Sequence, residues 1–266
     1  MLNKKRNNPI GVFDSGLGGL TVVKELMRQL PGEDIVYYGD TARLPYGTKS
    51  KESIIRFSKD NVNVLIKNNV KMIIVACNSS SSYALSSLKK EFSLPIVGVI
   101  SAGAKKAALK TQNKKVGVIA TSATIKSQEY LKAIKKEDSD IKVLSSACSL
   151  FVPIVEEGWT NKQIAIDVAK QYLKIFKSKR IDTLVLGCTH YPLLKSVLRK
   201  VMGRNVFLVD SATEVASQVK EMLNSTNQNN ISKTKPKHKF LISDRPQEFQ
   251  KQAKIFLGRD IKIKLI

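Results

Sequence analysis

The stretch TLVLGCTHYPLL, Thr183 to Leu194, decides how this chain is read. Thr183 to Leu186 is an apolar run of buried-strand length, broken by Gly187. Cys188, Thr189 and His190 follow, and Tyr191-Pro192 opens a predicted helix with Pro192 suited to its first turn. A cysteine at a strand-to-helix junction lies beside backbone N–H groups that lack helical partners, a setting that favours the thiolate. His190, one of two histidines in the chain, adds a titratable neighbour. Alone, the stretch fits equally well an inert buried cysteine followed by a capping threonine.

A second copy of the pattern separates these readings. Lys71 to Ala76 (KMIIVA) is again strand-length and apolar, and it delivers Cys77, Asn78 and Ser79 to Ser82 into another predicted helix, 111 residues before Cys188. Strands are predicted to begin at Ile10, Ile35, Lys71 and Pro95, and again at Val116, Ile141, Asp182 and Val206, shifts of 106, 106, 111 and 111 residues. Residue identity between the halves is slight, so the repeat is one of pattern. It predicts an α/β fold of two pseudo-symmetric parallel-sheet halves, each presenting one cysteine at the carboxyl end of its third strand. That is the end of a parallel sheet where ligands bind, and the site is expected in the cleft between the halves.

At 266 residues the chain can bury a substantial core, and no apolar run approaches the length of a membrane span. The N-terminal MLNKKRNNPIGVFD passes directly into a strand pattern, without the apolar region of a signal peptide. Three cysteines without a CxxC pair point to free thiols in a reducing cytoplasm. The net charge of +23 comes from lysines spread along the chain, with few aromatics between them. It reads as a lysine-rich solvated surface rather than a nucleic-acid reader, although such a surface also attracts anionic small molecules.

In chain order, Ile10 to Phe13 runs into Asp14-Ser15-Gly16-Leu17-Gly18-Gly19, a turn that resembles a dinucleotide fingerprint but lacks its third glycine. The glycines permit close backbone approach to a ligand, and Asp14 and Ser15 stand at the strand's carboxyl end. The loop Gly39 to Gly47 (GDTARLPYG) lies at the same end, where loops carry ligand contacts. Ser122 and Thr124 are predicted to cap the helix after the fifth strand. Cys148 is flanked by apolar residues and reads as packed, whereas Glu156 and Glu157 before Gly158 are candidates to reach the cleft. Asn224 to Lys239 is polar and reads as a loose surface connection, with His238 on the surface. The last strand–helix–strand segment is too small to stand alone and is expected to pack onto one half.

Two opposed thiols suggest three chemistries. As metal ligands, Cys77, Cys188 and His190 supply at most three groups without a usual zinc spacing. As a redox pair, they would come from different halves with no resolving CxxC. Two-base proton transfer needs one group to remove a proton from a stereocentre and another to return it on the opposite face, and two thiols on opposite walls meet that demand. No cofactor signature appears, so a carbanion would be stabilised by hydrogen bonds and local charge.

The segments IGVFDSGLGGLTV, YYGDTARLPYG, VACNS, FVPIVEEG and LGCTHYPLL resemble, in order and spacing, the glutamate racemases of the cofactor-independent aspartate/glutamate racemase superfamily. One departure is Ser79, where the family usually has threonine. The resemblance implies interconversion of L- and D-glutamate in the cytoplasm, without cofactor or metal, to supply D-glutamate for peptidoglycan. It implies that Cys77 takes the α-proton from D-glutamate and Cys188 from L-glutamate. Asp14 would assist Cys77, and His190, supported by Glu156 rather than Glu157, would assist Cys188. Substrate contacts would come from Asp14, Ser15, Tyr46, Gly47, Asn78, Ser79, Thr121, Thr189 and His190. The implied domains are residues 1–97 plus 210–266, carrying Cys77, and 98–209, carrying Cys188, in a chain expected to form a homodimer. The alternatives are a racemase for aspartate or another amino acid, and a basic protein that binds DNA or gyrase.

Overall fold

The computed structural model describes residues 6–266. Strands buried on both faces read as continuous apolar runs, and here they form two wholly parallel sheets. The first half runs β1 (Ile10–Asp14), α1 (Leu20–Gln29), β2 (Ile35–Gly39), α2 (Lys51–Ile66), β3 (Met72–Val75), α3 (Asn78–Tyr83), α4 (Leu85–Glu91) and β4 (Ile96–Gly98). The second runs α5 (Val99–Lys110), β5 (Lys115–Ala120), α6 (Ser122–Ser127), α7 (Glu129–Glu137), β6 (Lys142–Ala147), α8 (Phe151–Glu156), α9 (Gln163–Ser178), β7 (Thr183–Gly187), α10 (Lys195–Met202) and β8 (Phe207–Asp210). The chain closes with α11 (Ser211–Ser225), β9 (His238–Ile242), α12 (Pro246–Leu257) and β10 (Ile263–Leu265).

The repeat is carried by strand order. The second sheet is ordered β6-β5-β7-β8, and the first contains the equivalent β2-β1-β3-β4, extended beyond β2 by β9 and β10. β1 lies between β2 and β3, with Ile10 opposite both Ile35 and Met72, as Val116 in β5 lies opposite Val143 and Thr183. The final segment thus completes the first sheet. Helix α11 packs against α1 of the first half and α5 of the second, and one apolar cluster runs through both halves. No helix among the described residues is long and apolar enough to cross a membrane.

Several local expectations are corrected. The run PIVGVI predicts a fourth strand to Ile100 and a helix from about Ala102, but the strand ends at Gly98 and α5 starts at once because the Ser81 hydroxyl accepts from Val99 N–H (3.2 Å) while donating to Val75 C=O (2.8 Å). The cap of α6 is Thr121, whose Oγ1 accepts from Thr124 N–H, rather than Ser122 or Thr124; β5, which the run KVGVIAT predicts to reach Thr121, ends at Ala120. Tyr191–Leu194 forms a 3-10 turn and α10 starts only at Lys195, a tighter first turn of the kind common at helix ends.

The 224–239 connection is tied down rather than loose. Lys71 and Glu33 form an almost fully buried ion pair at 2.6 Å. Lys71 Nζ also donates to Gln228 C=O, and Glu33 Oε1 accepts from Asn230 N–H, both at 2.8 Å. Asp34 accepts from Lys237 N–H, and His238 is half-buried as the first residue of β9, opposite Ile35. A polar segment fixed through its backbone carries no apolar periodicity, so its composition resembles that of a free loop. Removing one partner of a buried pair strands the other charge. Glu33→Gln is therefore expected to cost about 3–5 kcal/mol in urea denaturation, and a loss within about 1 kcal/mol would show that the pair does not hold the segment.

Candidate active site

The carboxyl ends of β1, β3 and β7 meet at a cavity of about 140 Å³ lined from both halves. Cys77 and Cys188 both line it, each buried at the end of the third strand of its sheet. So do Ser15, Tyr46, Gly47, Asn78, Ser79, Thr121, Glu156, Thr189 and His190. Asp14 is the exception. It is fully buried beneath the wall, where its carboxylate accepts from Gly16 N–H (3.0 Å) and from the Thr189 hydroxyl (3.5 Å).

The two thiols have unlike surroundings. Cys77 Sγ lies 3.9 Å from Ser15 Oγ. Burial, then the nearby Asp14 carboxylate, push its thiol up to about 12, opposed by hydrogen bonds from Ser80 and Ser15. Burial also raises Asp14 above the ordinary carboxylate range, against the opposing pull of His190, the Gly16 and Gly19 N–H groups and Thr189. Cys188 Sγ instead lies 3.9 Å from His190 Nδ1, and His190 Nε2 is 2.9 Å from Glu156 Oε1. Burial pulls the imidazole down, but hydrogen bonds with Cys188 and Glu156 outweigh it and raise His190 to about 10. Glu156, and not the exposed Glu157, reaches the histidine from the last turn of α8.

The glycine-rich turn after β1 serves contact between the halves. A Cβ on Gly18 would lie 2.1 Å from Thr189 Oγ1 and 2.6 Å from His190 Nδ1, so only glycine lets these side chains take their places. Thr21, in the first turn of α1, donates to Thr189 C=O at 3.0 Å. Ser79 Oγ meets Thr121 Oγ1 at 3.0 Å, so the hydroxyl shared by serine and threonine makes a bond across the cleft. Among the described residues, no His, Cys, Asp and Glu side chains cluster as a metal site would require.

A sequence model of the Asp/Glu/hydantoin racemase family matches residues 10–219. The chain belongs to that family. It is 47% identical over 249 residues to the glutamate racemase of Geobacter metallireducens, covering 94% of this chain and 92% of that one. Its structure matches that of Francisella tularensis glutamate racemase in complex with D-glutamate, with a TM-score of 0.92, 40% identity and 98% of each chain covered. A Bacillus anthracis glutamate racemase isoform matches with a TM-score of 0.94, 38% identity and the same coverage.

For this member of the racemase family, sequence reasoning missed several residues around the cavity. Leu44 and Pro45, inside the loop expected to carry ligand contacts, complete one wall together with Thr48 just beyond it, and Ser149, Val152 and Pro153 form another. Leu44 to Thr48 flank residues already singled out, but nothing in Ser149 to Pro153 distinguishes a cavity wall from packing. The C-terminal helix was missed as well: Phe256 packs edge-on against His190 (centroids 5.5 Å apart, interplanar angle 90°), and Gln252 donates to Glu156 C=O at 3.1 Å.

Two outcomes follow from this geometry. Gly18→Ala must displace Thr189 and His190, and a misplacement of about 1 Å lowers turnover roughly 10²-fold; wild-type turnover in a folded variant would refute the close approach. His190 also links stability to pH. Its folded value of about 10 exceeds the unfolded 6.5, so its contribution is complete below pH 6.5 and is lost as pH rises through 10. Urea denaturation across that window should show falling stability, less steeply in Glu156→Gln. An equal slope in that variant would mean that the carboxylate does not hold the proton on the imidazole.

Proposed function

We propose that this chain interconverts L- and D-glutamate by direct proton transfer between two thiols, without a cofactor. The observation that carries this reading is the pair of buried cysteines at equivalent strand ends of a repeated fold, lining one cavity and differently partnered. With the α-carbon between the sulfurs, a thiolate on one wall takes the α-proton: S–H forms, C–H breaks, and the electron pair remains on carbon, delocalised into the α-carboxylate. The thiol on the opposite wall then gives its proton to the other face, leaving a thiolate there and an inverted centre.

In this reading Cys77 serves D-glutamate and Cys188 serves L-glutamate. Asp14 acts behind the wall, helping to keep Cys77 protonated until it must donate. His190, held by Glu156, places positive charge beside Cys188. Ser15, Tyr46, Gly47, Asn78, Ser79, Thr121, Thr189 and His190 contact the amino acid and offer it N–H and O–H groups. Polar groups held on the ends of packed strands and helices stabilise developing negative charge without reorganising. The cavity volume suits an amino acid better than a nucleotide. The same reading takes residues 1–97 plus 210–266 and residues 98–209 as two bodies that open to admit substrate, in a cytoplasmic homodimer whose product enters peptidoglycan.

The test is α-proton exchange of glutamate in D2O followed by NMR, from each enantiomer separately. Deuterium should enter from both directions, with the opposite enantiomer appearing. Cys77→Ala and Cys188→Ala should each lower racemisation by 10²–10⁴-fold or more, roughly the range for loss of a positioned acid or base. Retained turnover in both variants would end the two-thiol reading, and a higher kcat/KM for aspartate than for glutamate would change the substrate.

A further inference from the structure

Tyr130, the second residue of α7, is buried and is contributed by the second half of the chain. Its hydroxyl crosses the cleft and donates to Asn78 Oδ1 at 2.8 Å. Asn78 is the residue immediately after Cys77. The tyrosine ring lies against the other cysteine turn: a Cβ on Gly187, the residue immediately before Cys188, would lie 3.0 Å from Tyr130 Cε2. One side chain therefore touches the flanking residue of both cysteines.

The remaining half of the Asn78 amide carries the chemical information. Its Nδ2 is buried and has no hydrogen-bond partner among the described residues, while Asn78 lines the cavity. Buried donors are almost always paired in native proteins, so a buried amide N–H2 without a partner, on a residue that lines a cavity, calls for an acceptor on the ligand. Which end of an amide faces a cavity is set by what the other end bonds. The Tyr130 hydroxyl gives its one hydrogen to Asn78 Oδ1, while the neighbouring Ser211 hydroxyl donates to Leu186 C=O at 2.8 Å. Burial raises the phenol far from ionisation, so it keeps its hydrogen across the working pH range.

We infer that Tyr130 is a positioning residue that fixes the Asn78 amide with Nδ2 toward the cavity, where it donates to a carboxylate oxygen of the substrate. This rests on the racemase reading and deepens it. The bond spans the halves, so it forms only when they stand in this arrangement, and carboxylate binding is thereby coupled to the arrangement that sets the two thiols opposite each other.

The test is steady-state racemisation of glutamate by wild type, Tyr130→Phe, Asn78→Ala and the double variant, with melting temperatures taken with and without glutamate. Tyr130→Phe removes one oxygen and keeps the ring. It should raise KM about tenfold with little change in kcat, as expected for loss of an orienting hydrogen bond. On the Asn78→Ala background the same change should alter kcat/KM by no more than about twofold, because the partner through which it acts is gone. Equal losses on both backgrounds would show a general structural role and overturn the assignment, as would a wild-type KM in Tyr130→Phe. Asn78→Asp tests the other half without altering Tyr130. It keeps an acceptor for the phenol but presents an oxygen to the substrate, so glutamate should no longer raise the melting temperature; undiminished stabilisation by glutamate would refute donation by Nδ2. A wild-type enzyme inactive on glutamate and aspartate would overturn the racemase reading, and this assignment with it, before any variant is made.

Discussion

The contact on which the site depends is the seam where the glycine-rich turn after β1 meets Thr189 and His190. Neither half can form the cavity by itself, since each supplies only one thiol and part of the wall. The relative position of the two sulfurs is therefore set by how closely the backbone at Gly18 approaches the turn after Cys188. Asp14 adds to this seam from beneath, accepting from the Thr189 hydroxyl, and Thr21 holds the Thr189 carbonyl. Gly47 is a second close approach, where a Cβ would lie 2.8 Å from Thr121 Cβ. Small residues at these points let rigid strand ends come together, and the side chains that do chemistry inherit that rigidity.

Much of this was legible because parallel strands buried on both faces leave uninterrupted apolar runs, and each run that ends in a cysteine marks a strand's carboxyl end. Cys77, Cys188, His190 and the polar residues beside them could be found in that way, and the matching strand order accounts for the repeat. The residues offered Glu156 and Glu157 together and the family resemblance chose Glu156; the last turn of α8 turns Glu156 to His190 and leaves Glu157 exposed. Other features left no such trace. The tie between Lys71, Glu33 and the 224–239 connection runs largely through backbone atoms, which sequence composition does not encode. Tyr130 looks like any apolar-facing residue of a lysine-rich helix until the two halves are placed together. Gly18 appeared suited to a ligand's approach, but the group that approaches it is the protein itself.

The C-terminal segment shows how a small addition acts at a distance in the chain. It extends the first sheet through β9 and β10, and α12 then packs against α1. That path brings Phe256 against the edge of His190 and Gln252 to the backbone of Glu156, both belonging to the other half. The imidazole is thus confined by packing on one side and by hydrogen bonding at both nitrogens.

The unlike surroundings of the two cysteines have a thermodynamic consequence. Mirror-image amino acids have equal free energies in water, so the equilibrium constant between them is one whatever the catalyst looks like. The ratio of kcat/KM in the two directions must then also be one, however differently Asp14 and the His190–Glu156 pair treat the two walls. That asymmetry is free to alter only how long each enantiomer resides on the enzyme, and hence kcat and KM separately. A scaffold duplicated from one pattern can in this way let its two walls drift apart in chemistry while the balance of its products stays fixed.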